Sequence, residues 1–218
     1  HKGHIPYQQI HITSAYLEGA ILAHTRKLGI VTKNKPYNVV KDGKFSGAFV
    51  KVPEPGRYEW IYDLDLTSLY PSIIMTLNIS PETKVGIFTD FNSDDFRARK
   101  ERKWTLKEGD PAKAAYFDQM QYTTKILLNS MYGVLGNKTF RFFDIDNAEA
   151  VTLTGQQLIK ATGEFGSKFY NDELGTEGVD YCIYTDTDSV FFSAKPIIEK
   201  RYPNIDMTDN NAMAKAIL

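Results

Sequence analysis

Hydrophobic and polar positions near the N-terminus follow a helical period. Within residues 13–28, apolar side chains recur at spacings of three and four residues, at Tyr16, Leu17, Ala20, Ile21, Ala23 and Leu28. This period predicts an amphipathic helix. Gly29 follows directly and is expected to end the helix. Residues 34–57 instead carry closely spaced Gly and Pro residues, which predict irregular chain with short strands.

The rest of the pattern predicts strands and helices in mixed order. Residues 58–66, "YEWIYDLDL", and residues 179–193 contain runs of β-forming side chains and predict strands. Helices are expected at 94–109, 112–132 and 147–170, with Gly133 ending the second and a turn at 171–178 following the third. The pattern therefore combines strands and helices along one chain.

Composition excludes some classes of function and leaves others open. The 218-residue chain is 42% hydrophobic with a net charge of −1, which allows a sizeable core and argues against a uniformly basic nucleic-acid binder. Cations nevertheless cluster in residues 97–107, where they form either a phosphate-binding patch or a solvated helix face. The single cysteine, Cys182, excludes an internal disulfide and a cysteine-built zinc site.

Nothing in the sequence predicts a membrane segment. No apolar run approaches the roughly 18 residues that a spanning helix needs. The N-terminal residues also lack the apolar core of a signal peptide. We therefore expect an intracellular protein with no membrane partner.

Two pairs of aspartates lie in predicted strands. Alternate residues of a strand share a face, so Asp63 and Asp65 should lie together, as should Asp186 and Asp188 in "YTDTDSVFF". Two such carboxylates repel by roughly 2.5 kcal/mol at an effective dielectric constant near 20. A divalent cation such as Mg²⁺ would offset this repulsion. The alternative is a solvated turn, which the flanking "CIY" and "VFF" disfavour because they are expected to be buried.

Three stretches in a fixed order carry a family resemblance. "DLTSLYPSII" (65–74), "KILLNSMYG" (125–133) and "YTDTDS" (184–189) resemble the three polymerase motifs of family B DNA polymerases. The patterns are D-x-x-S-L-Y-P-S, K-x-x-x-N-S-x-Y-G and Y-G-D-T-D-S, the last with Thr185 in place of glycine. Flanking segments such as "GAFVKVPEPGRYEW" and "NISPETK" are similar to the replicative polymerases of large tailed phages.

The resemblance implies a catalytic centre with two Mg²⁺ ions, for which Mn²⁺ can substitute. Asp65 and Asp188 would bridge both ions, and Asp186 would be a weaker ligand. Leu66 completes the implied metal set. The family motif requires no acid at Asp63, for which a structural role is expected.

The resemblance also implies a nucleotide site and a primer site. Backbone N–H groups of Leu66, Ser68 and Leu69 would cradle phosphates, and Tyr70 would exclude a ribose 2′-hydroxyl. The remaining implied residues are Lys125 and Asn129 for the dNTP, Tyr132 and Gly133 for the nascent base pair, Arg99 and Lys103 for the β- and γ-phosphates, and Tyr184 and Thr185 for the primer end. A different helix register would put Arg97, Lys100 or Arg102 in the place of the Arg99 and Lys103 pair.

The architecture that the resemblance implies is an α+β fold, a polymerase palm in which helices back an antiparallel sheet, with a short two-helix fingers insertion. Residues 1–93 would form the N-terminal part of the palm, 94–134 the fingers and 135–218 the C-terminal part, with exonuclease and thumb absent. Template-directed DNA synthesis is the implied function, with primer–template DNA and dNTP as partners. A sliding clamp, reached through a missing C-terminal region, is a further implied partner, and phage origin would imply the host cytoplasm.

Two alternatives to this function remain. The chain could be a catalytically silent, polymerase-like fragment that binds nucleic acid, which is disfavoured because every expected chemical residue is present. It could also be another palm enzyme such as a reverse transcriptase, which is disfavoured because those enzymes carry adjacent aspartates. Without a thumb, the chain alone should hold duplex DNA poorly and extend primers slowly or not at all, because phosphate contacts dominate affinity.

Overall fold

The computed structural model describes residues 3–35, 45–79, 122 and 125–217. The predicted helix at 94–109, most of the predicted helix at 112–132, and the residues Arg99 and Lys103 lie outside these ranges. The chain divides into two compact units, His1–Ser46 with Ser68–Thr152 and Gly47–Thr67 with Leu153–Leu218. The predicted palm and fingers boundaries stay predictions.

The first unit opens with the helix that the hydrophobic period predicted. It spans Thr13–Lys27 and buries Leu17 and Ile21. Gly29 has a φ of 72°, a left-handed conformation that glycine adopts without a steric penalty. The N–H of Gly29 donates to the carbonyl of Arg26, and the N–H of Ile30 donates to that of Thr25. This pair of bonds is a Schellman motif, so the predicted helix end at Gly29 is confirmed.

The predicted helix end at Gly133 is wrong. Residues 125–135 are helical, and the turn comes at Gly136. Gly133 is not among the residues with positive φ. Val134 and Leu135 are 6% and 4% exposed. Their burial favours another half turn of helix, which outweighs the weak helix propensity of one glycine.

The core of the first unit joins its N-terminal helix to the segment 125–135. Its buried members are Leu17, Ile21, Met131, Val134, Phe140 and Phe142. Arg141 adds an ion pair to Glu18, with Nε and Oε1 2.9 Å apart and both side chains mostly buried. A short helix, Leu69–Thr76, also buries an apolar side, formed by Leu69, Pro71, Ile73 and Ile74.

The second unit contains an antiparallel sheet of four strands. The strands are β1 (Val50–Lys51), β2 (Ile61–Asp65), β3 (Tyr184–Asp186) and β4 (Ser189–Ser193), in the spatial order β1-β3-β4-β2. Each neighbouring pair is antiparallel. The predicted α+β class with helices and an antiparallel sheet is confirmed.

The long helix Ile145–Leu174 covers one face of this sheet. The ring of Tyr170 stacks on Phe192 with centroids 5.5 Å apart, and its hydroxyl donates to the carbonyl of Ser193. A Cβ at Gly166 would lie 2.2 Å from the Phe192 ring, so only glycine allows this close approach. The helix is longer than the predicted 147–170 and takes up the first half of the predicted turn at 171–178, because it ends at Leu174, directly before Gly175, whose φ is 71°.

Two further helices complete the second unit. They span Lys195–Arg201 and Asn210–Ile217, and they enclose a small core of Ala194, Ile198 and Met213. No helix within the described ranges is long and apolar enough to cross a membrane.

Candidate active site

The strand register brings three aspartate side chains to one face of the sheet. Asp65 on β2 and Asp186 on β3 both pair with Ser189, the first residue of β4. Directly paired residues project to the same face. Asp63, two residues before Asp65, also shares this face. The three aspartates are exposed, and we refer to this side of the sheet as the carboxylate face.

Asp188 lies in a tight turn, so the predicted strand shared with Asp186 is wrong. β3 ends at Asp186, and β4 begins at Ser189. Thr187 has a φ of 56°, and the N–H of Asp188 donates to the carbonyl of Asp186 at 2.6 Å. This is the hydrogen bond of a three-residue γ-turn. The chain reverses here because β3 and β4 pair as a hairpin.

The backbone of Asp188 is nevertheless fixed beside the end of β2. The N–H of Leu66 donates to the carbonyl of Asp188 at 2.8 Å. Because Asp65 precedes Leu66 and Asp188 precedes Ser189, this bond extends the pairing of β2 with β4 by one step. The turn therefore places Asp188 next to Asp65 by a different route from the one that strand alternation predicted.

The same hydrogen bond corrects one prediction for Leu66. Its N–H is already used by the carbonyl of Asp188, so it is not available to cradle a phosphate. The predicted place of Leu66 in the metal set stays a prediction and would rest on its carbonyl. Ser68 has a φ of 57° and precedes the helix Leu69–Thr76, whose first N–H groups have no acceptor within the helix.

Electrostatic repulsion is concentrated on Asp188. Burial raises the pKa of its carboxyl above the ordinary value, and the charges of Asp65, Asp186 and Asp63 raise this pKa further, in that order of size. Like charges disfavour the ionised form of a carboxyl group. A divalent cation bound at this edge would relieve the repulsion.

The oxygen donors fit Mg²⁺ bound together with a substrate. Across the described ranges, no three His, Cys, Asp or Glu side chains are grouped so as to hold a metal ion by themselves. Mg²⁺ commonly takes only one or two carboxylates, and water and substrate phosphates complete its coordination shell. Asp65 and Asp188 supply a donor set of that kind.

The Asp186 carboxylate receives two hydrogen bonds from its own hairpin. The hydroxyl of Tyr184 donates to Oδ2 at 3.2 Å, and that of Thr187 donates to Oδ1 at 3.0 Å. Partial desolvation and the bond to Asp186 raise the pKa of Tyr184. Both Asp186 oxygens therefore have local donors, which suits the predicted weaker ligand better than a bridging one.

Thr185 points to the opposite side of the sheet from Asp186. Thr185 is 2% exposed, and its Oγ1 accepts a hydrogen bond from the N–H of Lys51 at 3.0 Å. Strand alternation could have predicted this burial, because Asp186 follows directly on the exposed face. The primer-end role of Tyr184 and Thr185 stays a prediction, and at Thr185 it concerns the backbone.

The predicted nucleotide residues of the first unit lie on one side of a helix. Lys125, Asn129 and Gly133 are exposed and four residues apart, as a stripe on a helix requires. The Tyr132 ring packs on Tyr70, with centroids 4.5 Å apart at 47°. Burial raises the pKa of Tyr132. Their roles in binding dNTP stay predictions.

The hairpin formed by β3 and β4, residues 184–193, is called here the carboxylate hairpin. No sequence pattern predicted the residues in and beside β1 that hold it. The carbonyl of Phe49 accepts the N–H of Thr187, and the N–H of Lys51 bonds to Thr185. Both β1-side residues stand in "GAFVK", which carried a resemblance and no predicted role. Their partners are more than 130 residues away in the sequence, so no local pattern could have paired them.

Known proteins give the family of the chain. The sequence model of DNA polymerase family B matches residues 8–95 and 84–205. The DNA-directed DNA polymerase of Escherichia phage RB69 is 29% identical over 245 aligned positions, which cover 72% of this chain and 27% of that protein. The DNA polymerase delta catalytic subunit of Dictyostelium discoideum is 32% identical and covers 75% of this chain and 18% of its own length.

A solved structure shares the fold. The family B DNA polymerase of Pyrobaculum calidifontis matches with a TM-score of 0.65 and 22% sequence identity, over 93% of this chain and 30% of that one. The chain thus spans about a quarter of the length of the curated relatives it matches. With its family model and its relatives in agreement, the chain belongs to DNA polymerase family B.

Proposed function

We propose that this chain carries the catalytic carboxylates of a template-directed DNA polymerase. The reaction joins a dNTP to the 3′-hydroxyl of a primer. One observation carries the proposal: the register of β2 and β4 puts Asp65 beside the turn that holds Asp188, and Asp65 raises the pKa of Asp188. Two carboxylates this close repel each other when no cation is present, and together they can bind a divalent cation.

Asp65 and Asp188, with Asp186 as a weaker ligand, would hold two Mg²⁺ ions, which Mn²⁺ can replace. When bound, such ions lower the pKa of the primer hydroxyl and stabilise charge on the leaving pyrophosphate. Asp65 and Asp188 would orient the attacking oxygen and the triphosphate toward each other. The primer oxygen then forms a bond to the α-phosphorus, the bond to pyrophosphate breaks, and the hydroxyl proton leaves to solvent.

Residues of the first unit would recognise the incoming nucleotide. Lys125 is exposed on its helix, where a cation can meet a triphosphate. Tyr70 would sit against the sugar and exclude a 2′-hydroxyl, supported from behind by Tyr132. Arg99 and Lys103, which would grip the β- and γ-phosphates, lie outside the described residues. The same proposal includes primer–template DNA and a sliding clamp as partners. For a phage protein, it places the reaction in the host cytoplasm.

Substitution of the two bridging carboxylates tests the proposed chemistry. In the full-length parent polymerase, Asp65→Asn and Asp188→Asn should each lower nucleotide incorporation by at least about 10² to 10³, because charge stabilisation in the transition state is lost. DNA binding should be nearly unchanged, because phosphate contacts to cations supply most of that affinity. Single-nucleotide incorporation and a salt-matched DNA-binding assay measure the two quantities.

Asp63→Asn is the matched control for these variants. Asp63 shares the carboxylate face and lies two residues from Asp65, and its effect on the pKa of Asp188 is smaller. Incorporation by Asp63→Asn should stay within a few-fold of the parent. Full turnover by Asp65→Asn or Asp188→Asn would refute the metal assignment. An unmodified parent that binds primed DNA without extending it would favour the catalytically silent alternative.

Tyr70→Ala tests the nucleotide site separately. Removal of the ring should raise the ratio of ribonucleotide to deoxynucleotide incorporation, because the 2′-hydroxyl would no longer meet an obstacle. Tyr132→Phe keeps the ring that packs on Tyr70 and serves as the control. An unchanged ratio in Tyr70→Ala would mean that another residue selects the sugar.

A further inference from the structure

Residues 47–51, which we call the strap, run along the edge of the sheet beside the carboxylate hairpin. Only Val50–Lys51 forms a strand, and it pairs with Thr185 and Asp186 of β3. So short an edge strand gains little from its own ladder of hydrogen bonds. Other contacts must therefore hold the strap in place.

The strap is anchored to the long helix and to the loop that follows it. The carbonyl of Gly47 accepts a hydrogen bond from Gln156 Nε2 at 2.7 Å. Lys160 Nζ lies 4.6 Å from the centre of the Phe49 ring, within the range of a cation–π contact. Lys51 Nζ pairs with Asp180 Oδ2 at 2.6 Å and also donates to the carbonyl of Cys182.

The anchored strap holds the hairpin at two points. The N–H of Lys51 donates to Thr185 Oγ1, and the N–H of Thr187 donates to the carbonyl of Phe49 at 3.2 Å. The two held residues, Thr185 and Thr187, flank Asp186 in the sequence, and Thr187 directly precedes Asp188. On the other side of the hairpin, the bond from Leu66 to Asp188 completes the support.

Thr185 makes one of these links through its side chain. Glycine, the usual residue of the family motif at this position, has no hydroxyl and cannot make it. The hydroxyl is buried and adds a second acceptor to the ladder pairing of Lys51 with Thr185, so its loss would weaken the hold on the N–H of Lys51 in a place that water reaches poorly. Catalytic groups must be held to a fraction of an ångström, and small displacements cost large factors in rate.

We infer that Thr185 is a positioning residue, whose hydroxyl ties the strap to β3 and thereby fixes Asp186 and Asp188 for the chemistry at the carboxylate face. This inference rests on the proposed function. Thr185 touches neither substrate nor metal in this role, because its side chain lies on the buried side of the sheet. It acts through the hairpin alone.

Two substitutions separate the hydroxyl from the shape of the side chain. Thr185→Val keeps the shape and removes the acceptor, and Thr185→Ser keeps the acceptor and removes a methyl group. In the full-length parent, Thr185→Val should lower kcat about tenfold while KM for dNTP stays within about twofold. Thr185→Ser should recover most of the lost rate.

Hydrogen exchange supplies a readout that does not depend on activity. In the 218-residue chain, the Lys51 amide should exchange several-fold faster in Thr185→Val than in Thr185→Ser, because only the ladder pairing with β3 then remains to protect it. Thr152→Val is the matched control, since Thr152 is also buried and its hydroxyl donates to the carbonyls of Ala148 and Glu149 in its own helix. This control should leave both kcat and the Lys51 amide unchanged.

Each outcome decides the inference. Equal losses of kcat in Thr185→Val and Thr152→Val would reduce the effect to general destabilisation and overturn it. An unchanged kcat in Thr185→Val would also overturn it, while the proposed function would stand if Asp188→Asn still lost activity. Full activity of Asp188→Asn would instead refute the proposed function itself.

Discussion

The two faces of the four-stranded sheet are built for opposite purposes. The carboxylate face exposes Asp63, Asp65 and Asp186 and collects negative charge. The opposite face buries Val190 and Phe192 completely under the long helix. Packing on the second face holds the strands in register against the repulsion between the carboxylates of the first. Alternate residues of the same strands thus carry the chemistry and the stability of this sheet.

Neighbouring phenylalanines of β4 give the sharpest contrast between the faces. Phe192→Ala should destabilise the chain by about 3–5 kcal/mol, because it empties the space between the sheet and Tyr170. Phe191→Ala, on the half-buried carboxylate side, should cost only about 1 kcal/mol. Urea denaturation of both variants measures the difference. Equal costs would mean that the faces are not distinct in stability.

Two glycines of the long helix test how closely the helix must approach. Gly166→Ala should destabilise by about 1–3 kcal/mol, because its Cβ would lie 2.2 Å from the Phe192 ring. Gly163→Ala is the matched control, since its nearest neighbour is Cys182 Sγ at 3.4 Å. Alanine has the better helix propensity, so this control should be neutral or stabilising by up to about 1 kcal/mol. A Gly166→Ala variant as stable as Gly163→Ala would contradict the close contact.

The carboxylate face should respond in the opposite direction to a substitution. Without divalent ions, Asp65→Asn should stabilise the chain by less than about 1 kcal/mol, because it removes a charge that repels Asp188. Glu164→Gln, on an exposed part of the long helix, controls for loss of a negative charge alone. Thermal melting in the presence of EDTA compares the variants. A lower melting temperature for Asp65→Asn would show that its charge supports the fold.

The ion pair between Lys51 of the strap and Asp180 should have the smallest effect on stability, and this effect should depend on pH. Burial alone would raise the pKa of Asp180, but hydrogen bonds from Lys51, Cys182 and Ser167 lower the pKa below its ordinary value. A lowered folded-state pKa adds stability above the ordinary carboxyl pKa, roughly 3.9, and this stability is lost as pH falls through the folded value. Lys51→Met removes the principal partner.

The stability difference between the parent chain and Lys51→Met should therefore be largest near neutral pH and shrink as pH falls below about 4. Lys35→Met is a suitable control, because Lys35 pairs with Glu18 in the other unit at 3.7 Å. Melting temperatures across an acid titration measure both differences. A Lys51→Met difference that grows toward low pH would contradict the assignment of the pair.

Much of this contrast could be predicted from sequence because it follows local rules. The Gly29 helix end and the shared face of Asp63 and Asp65 each depend on residues within a few positions of one another, and the α+β class followed from the family resemblance. The three motifs stood out because their order and spacing are specific. The family follows from them, and the matching relatives agree.

The remainder depended on contacts that no window of sequence contains. At Thr187 the sequence allowed a turn, but the flanking β-forming residues favoured a continuous strand, and the pairing of β3 with β4 requires the turn. The helix continues beyond Gly133 because Val134 and Leu135 are buried in the core. The bond between Lys51 and Thr185 joins residues 134 positions apart. Tertiary packing overrode local propensity in each place.

Divalent ions should bind at the carboxylate face, between Asp65 and Asp188. Addition of substoichiometric Mn²⁺ to the isotopically labelled 218-residue chain, with amide signals recorded by NMR, tests this binding most directly, because a paramagnetic ion broadens only nearby signals. Leu66, Thr187, Asp188 and Ser189 should broaden first, and the combination of Asp65→Asn with Asp188→Asn should remove this broadening. If the broadening is centred elsewhere, or if the double substitution does not reduce it, divalent ions do not bind at Asp65 and Asp188.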